Sequence, residues 1–262
     1  MEHNLSTDRL HIENKITSGY NSGESYMYDN ILDDIKKEMK KERHRKMIFE
    51  NNVKLAKKYM VESIYRSANI EGIGMTFPET QTICDGMSVS GHNIDEINAV
   101  NDLKNAWRWY FDNPKINIDV KSLKTLNAIL GKYTVINAGT IRDKWDTPIR
   151  VPLRDGKNFF PPVPESEDAI NNELDKLKNN LDKLDAALNI FCFVAKGQFF
   201  NDGNKRTATI FANMYMIQMG QGILSIPVDK KLEFYNALTS FYEDDNNKDI
   251  LKTFLKTYCI TV

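Results

Sequence analysis

The sequence predicts a predominantly all-α fold with one β-hairpin. Apolar residues recur at helical spacing over most of the 262-residue chain, 41% of which is apolar. Residues 138–164 lack that period and place Thr, Ile, Trp and Val among turn-forming residues, which is typical of a hairpin or extended flap. The proline cluster at 161, 162 and 164 ends this segment. We call residues 138–164 the flap.

The N-terminal part is predicted to be a polar tail followed by helices. Residues 1–28 mix Ser, Gly and Asn with charged residues. From Asp29 to about Arg66 there is neither Pro nor Gly, which indicates one long helix or two, ending near Gly72. The basic run KKEMKKERHRK lies inside this stretch, and a solvated helix face explains it better than nucleic-acid binding. We take residues 29–112 as an N-terminal helical region.

Local signals mark the next helices. Thr76 is a candidate N-cap, with Pro78 near the first turn and Gly86 as the stop. The following helix should bury an apolar stripe, and the next a shorter one closed by Gly131. The two stripes comprise Ile94, Ile97, Val100, Leu103, Ala106, Trp107 and Tyr110, and then Leu123, Leu126 and Leu130.

The helical period returns after the flap. It predicts helices over 165–180, 181–197 and 204–219, with two more from Asp229 and Asn247. Residues 113–262, with the flap, form the expected core domain.

Composition bounds the function classes. The net charge is −1, which gives no general attraction to nucleic acid. Three well-separated cysteines form neither a metal spacing nor a disulfide framework, which favours a reducing cytoplasm. Neither a membrane span nor a signal peptide is expected. We therefore expect a soluble, cytoplasmic protein with no nucleic-acid or membrane partner.

The stretch KGQFFNDGNKRTATIF, residues 196–211, has the features of an anion-binding turn. Gly203 permits a backbone conformation in which several amides face one hollow, and the next helix offers free N–H groups. Lys205 and Arg206 oppose the helix dipole, which suits an anion site better than a structural helix. Asn204 could cap the helix or bind a phosphate oxygen, and Asp202 offers one oxygen to Mg²⁺. An ordinary Asn-Asp-Gly turn is about equally compatible with the pattern.

Three ordered motifs resemble the Fic (Fido, Fic–Doc) family. QFFNDGNKRTA resembles its signature H-P-F-x-[DE]-G-N-[GK]-R, with Gln198 at the histidine position and Phe199 at the proline. SANIEG, residues 67–72, resembles the inhibitory motif [ST]-x-x-x-E-[GN] of the subclass with an N-terminal inhibitory helix. The flap and its prolines resemble the segment between the two motifs.

The resemblance implies a Fic-like helical core with one β-hairpin flap and an N-terminal helical extension. Members bind ATP with Mg²⁺, and most transfer AMP to a Ser, Thr or Tyr hydroxyl of a target protein. Carried over, the metal ligand is Asp202, the inhibitory residue is Glu71 within Ser67–Gly72, and a homodimer is possible. The phosphate cradle is Gly203, Asn204, Lys205 and Arg206, and the target-docking flap edge is Thr147, Ile149 and Val151.

Two positions depart from the family pattern. Glutamine has no proton to titrate near neutral pH, so Gln198 cannot act as the general base that the histidine supplies. Thr209 stands where AMP-transferring members have an arginine that pairs with the inhibitory glutamate, so Glu71 would use Arg206 or the surroundings of the nucleotide. Lys205 resembles the version of the loop in Doc toxins, which transfer a phosphoryl group.

These observations leave three functions open. The first is an ATP/Mg²⁺-binding protein of the adenylyltransferase class, restrained by Glu71 and weakened or inactivated by Gln198. The second is a non-catalytic, nucleotide-responsive module whose flap holds a partner. The third is a Doc-like protein phosphotransferase.

Overall fold

The structure is a computed structural model that describes residues 25–146, 148–153 and 156–262, with side-chain surroundings from residue 33 onward. The chain divides into two compact units, residues 1–48 and 49–262. The first unit contains the start of helix α1, where residues 36–47 are exposed, as expected for a solvated helix face. None of the described helices is long and apolar enough to cross a membrane.

The described residues form ten α-helices, which confirms the predominantly α-helical class. The first five are α1 (Ser25–Lys58), α2 (Met60–Ile70), α3 (Phe77–Cys84), α4 (Ile94–Asp112) and α5 (Val120–Leu130). The others are α6 (Glu167–Lys178), α7 (Lys183–Gly197), α8 (Asn204–Met219), α9 (Lys231–Glu243) and α10 (Lys248–Tyr258). Short 3₁₀ turns at Val228–Lys230 and Asp245–Asn247 precede α9 and α10.

Helix starts follow the capping signals of the sequence. Thr76 accepts a hydrogen bond from the Glu79 amide, and the Glu79 side chain accepts from the Thr76 amide, which completes a capping box. Asn93 and Asp119 cap α4 and α5 in the same reciprocal way. The stretch after residue 28 is two helices rather than one, separated at Tyr59, and α1 begins at Ser25.

The core of the second unit is built around α8. This helix is buried over most of its length and packs along α7, with α5 and α4 also against it. The predicted faces of α4 and α5 are buried, including Leu103, Tyr110 and Leu126. Ile97 is only partly buried against the core, and Ile94, in the first turn of α4, is 68% exposed.

Two small antiparallel pairs accompany the helices. In the flap, β1 (Val151–Pro152) pairs with β2 (Asn158–Phe159), which is the predicted hairpin. A second pair, β3 (Ile223–Leu224) with β4 (Ile260–Thr261), was not predicted. Two-residue strands are too short to show an alternating pattern. Gly222 is required beside β3, because a Cβ there would lie 2.1 Å from the Thr261 carbonyl oxygen.

Asp102 lies on the buried face of α4 and is fully buried. Neither of its carboxylate oxygens has a hydrogen-bond partner in the described residues. Burial raises the pKa of Asp102 to about 6, although the charges of Arg206 and Lys132 oppose the shift. The folded state therefore holds the proton on Asp102 more tightly than the unfolded state does.

We predict that Asp102→Asn stabilises the protein at neutral pH. Because the folded pKa is raised, this residue costs stability as the pH rises from about 4 to about 6, and the whole penalty remains above that. A shift of about two units is worth at most roughly 3 kcal/mol. We expect a gain of about 1–2 kcal/mol, since the neutral amide of the variant no longer balances the charge of Arg206.

Urea unfolding of both proteins between pH 4 and pH 8 measures this difference. The gain should shrink toward zero as the pH falls to 4, because the folded carboxyl is then protonated and the pH is close to the unfolded pKa of 3.8, so little of the penalty remains. A substitution that destabilises the protein equally at every pH would contradict the assignment.

Candidate nucleotide site

The candidate site begins at the turn between α7 and α8, residues 198–203. Gln198 ends α7 in the left-handed conformation, with φ of 46°, and Gly203 precedes α8 with φ of 75°. The glycine adopts this angle at little cost, whereas a glutamine is held there by its surroundings. Asn204 stabilises the turn, since its side chain accepts from the Phe200 amide and donates to the Phe200 carbonyl.

The first turn of α8 is left without a side-chain cap. Gly203 offers no oxygen to the free amides, and no acidic residue occupies this turn. Lys205 and Arg206 add positive charge where the helix dipole is already positive. Because the Asn204 side chain is used inside the turn, its contribution to an anion is limited to the main chain. The arrangement meets the physical requirements of an anion site.

Arg206 is directed inward rather than toward solvent. Its side chain is 10% exposed, Nη1 donates to the Leu130 carbonyl at 3.4 Å, and Nη2 lies 3.7 Å from Oδ2 of Asp202. Its Nε has no hydrogen-bond partner in the described residues. Arg206 therefore holds the end of α5 and the turn together, and its charge supports the anion site from beneath.

A cavity of about 430 Å³ opens in front of this turn. That volume is within the range of small-molecule sites, roughly 300–1,000 Å³. It is bounded by the turn, by the C-terminal end of α2, by the flap and by α9. The lining residues are Glu71, Ile149, Arg150, Val151, Pro152, Gln198, Asn201, Asp202, Gly203, Asn204, Lys205, Tyr235, Leu238, Thr239 and Tyr242.

The structure brings together most of the residues predicted from sequence. Arg206, predicted as part of the phosphate cradle, does not line this cavity. The predicted residues that do line it are Glu71, Ile149, Val151, Gln198, Asp202, Gly203, Asn204 and Lys205. Thr147 lies outside the described residues. Ser67 lies one turn before Glu71 on α2, where its carbonyl accepts the Glu71 amide, and Gly72 follows with φ of 94°.

Glu71 pairs with Lys205 across the mouth of the anion turn. Its Oε2 is 3.4 Å from Lys205 Nζ, and the two side chains are 23% and 30% exposed. The partner is thus Lys205 rather than Arg206. Helix α9 fixes the end of α2 that carries Glu71, because Lys231 donates to the Asn69 carbonyl and the Tyr235 hydroxyl donates to the Ile70 carbonyl.

Thr209 leaves a small gap behind that ion pair. Its hydroxyl donates to the Lys205 carbonyl within α8, so it does not reach Glu71. A cavity of about 20 Å³ lies between Thr209, Ser67 and Ser225, bordered by Glu71, Lys205 and Arg206. Thr209 thus provides no positive charge at this position, and the cation that pairs with Glu71 is Lys205.

Gln198 is held by the backbone rather than presented to the cavity as a free group. It is 7% exposed, and its Nε2 donates to the Ala195 carbonyl at 2.7 Å. The Tyr242 hydroxyl also donates to Ala195 O, and burial raises the pKa of Tyr242, which keeps that hydroxyl protonated at neutral pH. His92, the one histidine in residues 49–262, lies instead between Glu79 and Glu96.

Asp202 is the carboxylate available for a cation. Its side chain is 65% exposed, and its Oδ1 accepts from the Gly203 amide at 2.6 Å. Within the part of the chain that the structure describes, no group of three or more His, Cys, Asp or Glu side chains could hold a metal alone. A single exposed carboxylate fits Mg²⁺, which keeps most of its waters and shares phosphate oxygens with a nucleotide.

Sequence reasoning missed two supports of the turn. Asn127 on α5 donates to the Asp202 carbonyl at 3.0 Å and accepts from the Gly139 amide at the start of the flap. A polar residue on the buried face of an apolar helix was the available signal for Asn127. Arg142 donates to the Gln198 carbonyl and to the Pro162 carbonyl, and its position in the sequence gave no signal.

Comparison with known proteins agrees with this geometry. The family model described as "Fic/DOC family" matches residues 117–216. Protein adenylyltransferase fic-1 of Caenorhabditis briggsae is 28% identical over 187 residues, which are 67% of this chain and 35% of the relative. Protein adenylyltransferase Fic of Drosophila melanogaster is 26% identical over 195 residues, 70% and 38% of the two chains. The matched part is thus little more than a third of these relatives' length.

Solved structures show the same fold. A Fic domain containing signaling protein from Bacteroides thetaiotaomicron superposes with a TM-score of 0.67 at 16% identity, over 82% of this chain and 91% of the other. Fic-1 from C. elegans superposes with a TM-score of 0.59 at 18% identity, over 97% and 79%. Residues 117–216 therefore carry the match to the Fic/DOC family model, and the chain has the fold of solved Fic-domain proteins.

Proposed function

We propose that the protein binds ATP through residues 198–206, which comprise the turn and the start of α8. The uncapped start of α8 is the observation that carries the proposal, because free amides, a positive dipole end and Lys205 converge on one cavity. The phosphates would lie against Gly203–Arg206, and the rest of the nucleotide would occupy the space toward Tyr235 and Leu238. The matching relatives are adenylyltransferases by name, which supports ATP as the ligand.

Asp202 would hold the Mg²⁺ that accompanies the nucleotide. Its exposed carboxylate is beside the amides that would bind phosphate, so one ion could contact both. Bound there, Mg²⁺ would offset phosphate charge during transfer. Gly203 and Arg206 hold the carboxylate in place on the two sides of the turn.

The proposed reaction class is transfer of AMP to a Ser, Thr or Tyr hydroxyl of a target protein. The flap would dock the target, since its two-stranded sheet has no further strand on either edge among the described residues. Ile149 and Val151 belong to the flap and also line the cavity. A segment docked on this edge would therefore lie next to the phosphates.

Gln198 weakens or abolishes this transfer. Its amide cannot accept the hydroxyl proton, and no histidine lines the cavity in the described residues. Glu71 adds a second restraint, because its carboxylate neutralises the lysine that a phosphate would otherwise use. Phosphate binding and inhibition by Glu71 would thus both act through Lys205.

A nucleotide-responsive binding module is the second candidate function. The observation that favours it is the Gln198 side chain, whose Nε2 donates to the Ala195 carbonyl at the end of α7 although the residue lines the cavity. In that case ATP would displace Glu71 from Lys205 and alter the end of α2 without chemistry.

We predict that Gln198→His raises AMP transfer by about 10²–10⁴-fold, the usual contribution of a positioned general base. Incorporation of label from α-³²P-ATP into lysate proteins measures the initial rate. Asp202→Asn in the Gln198→His background is the control and should abolish labelling.

Equal labelling by the protein and by Gln198→His would contradict the weakening assigned to Gln198. Label from γ-³²P-ATP but not from α-³²P-ATP would replace AMP transfer by phosphoryl transfer. ATP binding without labelling by either protein would favour the nucleotide-responsive module.

We predict that Glu71→Gln tightens ATP binding about three- to tenfold, because breaking a partly buried ion pair of about 1 kcal/mol frees Lys205 for phosphate. Titration calorimetry with Mg²⁺ and ATP gives the dissociation constants. Glu62→Gln is the matched control, since it removes a carboxylate from the same helix that pairs with Arg66 instead. Equal effects of the two substitutions would contradict competition at Lys205.

A further inference from the structure

Arg142 is a buried arginine whose partners are all main-chain carbonyls. The residue is 3% exposed and lies within the flap, ahead of β1. Its Nε donates to the Gln198 carbonyl, and its Nη2 lies within hydrogen-bond distance of the carbonyls of Pro162, Pro161 and Gly197. It forms no ion pair with a carboxylate in the described residues. Burial lowers the pKa of Arg142, with Asp146 opposing the shift, but a guanidinium remains charged.

These carbonyls belong to two separate parts of the proposed site. Gly197 and Gln198 are the end of α7, where the dipole is negative and carbonyls lack partners within the helix. Pro161 and Pro162 follow β2 and lead out of the flap. A single planar guanidinium therefore bonds both segments, in directions that its fixed fork of donors allows.

The main chain of Arg142 strengthens the junction. Its amide donates to the Phe199 carbonyl at 2.9 Å, directly after the carbonyl that its side chain binds. Arg142 thus binds the carbonyls of both Gln198 and Phe199, the first two after the left-handed Cα of Gln198. A non-glycine residue in this conformation costs roughly 1–2 kcal/mol, so the turn depends on such external bonds.

We infer that Arg142 is a positioning residue that makes the anion turn and the flap one unit. It sets the backbone at residue 198, where the family signature has its histidine, and it fixes the exit of the strand pair that would dock the target. This assignment rests on the proposed function only for its catalytic consequence. The mechanical link itself is independent of nucleotide.

Arg142→Lys tests the link, because lysine keeps the charge but concentrates its donors at one atom, which cannot span both sets of carbonyls. Hydrogen exchange without nucleotide should rise about tenfold or more in peptides covering both 148–163 and 197–204, with α4 and α8 unchanged beyond their first turns. Phe159→Leu is the control: it removes the ring that stacks on Tyr242 at 5.3 Å, and should loosen the flap alone.

Faster exchange in only one of the two segments, or in neither, would overturn the inference. Arg142→Gln is made in parallel, in case the lysine variant does not fold. It retains two donors without the charge, and the same two-segment criterion applies to it.

A kinetic readout separates positioning from general damage. In the Gln198→His background, Arg142→Lys should lower kcat for AMP transfer at least about tenfold while the dissociation constant for ATP changes less than threefold. If kcat and the affinity for ATP fall by the same factor, the role of Arg142 is merely structural and the inference is overturned. If Gln198→His transfers no AMP, the proposed reaction fails, and the exchange experiment still decides the role of Arg142.

Discussion

The site depends on how the facing ends of α7 and α8 are satisfied. Only residues 198–203 separate the two helices, so a carbonyl end and an amide end lie close together. The carbonyl end has side-chain donors, because Arg142 donates to the Gln198 carbonyl, and Tyr242 and the Gln198 side chain donate to the Ala195 carbonyl. The amide end is left open from Asn204 onward, because no side chain caps α8 and the Gly203 amide already donates to Asp202. This asymmetry is what makes the turn a site rather than a connection.

The positive charge of the site is divided between two residues with different tasks. Arg206 is buried and bonds to the end of α5, so it supports the turn. Lys205 remains partly exposed and pairs with Glu71 across the mouth. Thr209 does not reach either side chain, and a small cavity lies beside it, bordered by Glu71, Lys205 and Arg206. Any anion at the start of α8 must therefore compete with one carboxylate for one lysine.

Much of the fold followed from local sequence signals. The N-cap at Thr76, the buried face of α5 and the flap all have short-range patterns. The pairing of β3 with β4 joins residues far apart in the chain, and two-residue strands have no period to detect. Ile94 was misplaced because spacing gives a face but not the end of the core.

The candidate site was predictable in its turn and not in its supports. Asp202–Arg206 form a contiguous motif, whereas Glu71 reaches Lys205 only through the tertiary position of α2. The contacts of Arg142 are carbonyls, which every residue has, so no sequence pattern marks them. Gln198 was identified as a missing base because it stands where the family signature that the loop resembles has a histidine, but its bond to Ala195 is a property of the folded turn.

The most direct measurement of the central claim is an amide NMR titration with Mg²⁺ and ATP. If the open end of α8 binds phosphate, the largest shifts will fall on the amides of Gly203, Asn204, Lys205 and Arg206, with a smaller response at Glu71. The carbonyl end of α7, residues 194–197, should change little. The account would be contradicted by saturating ATP that leaves the four α8 amides unshifted, or by its largest shifts lying outside the turn.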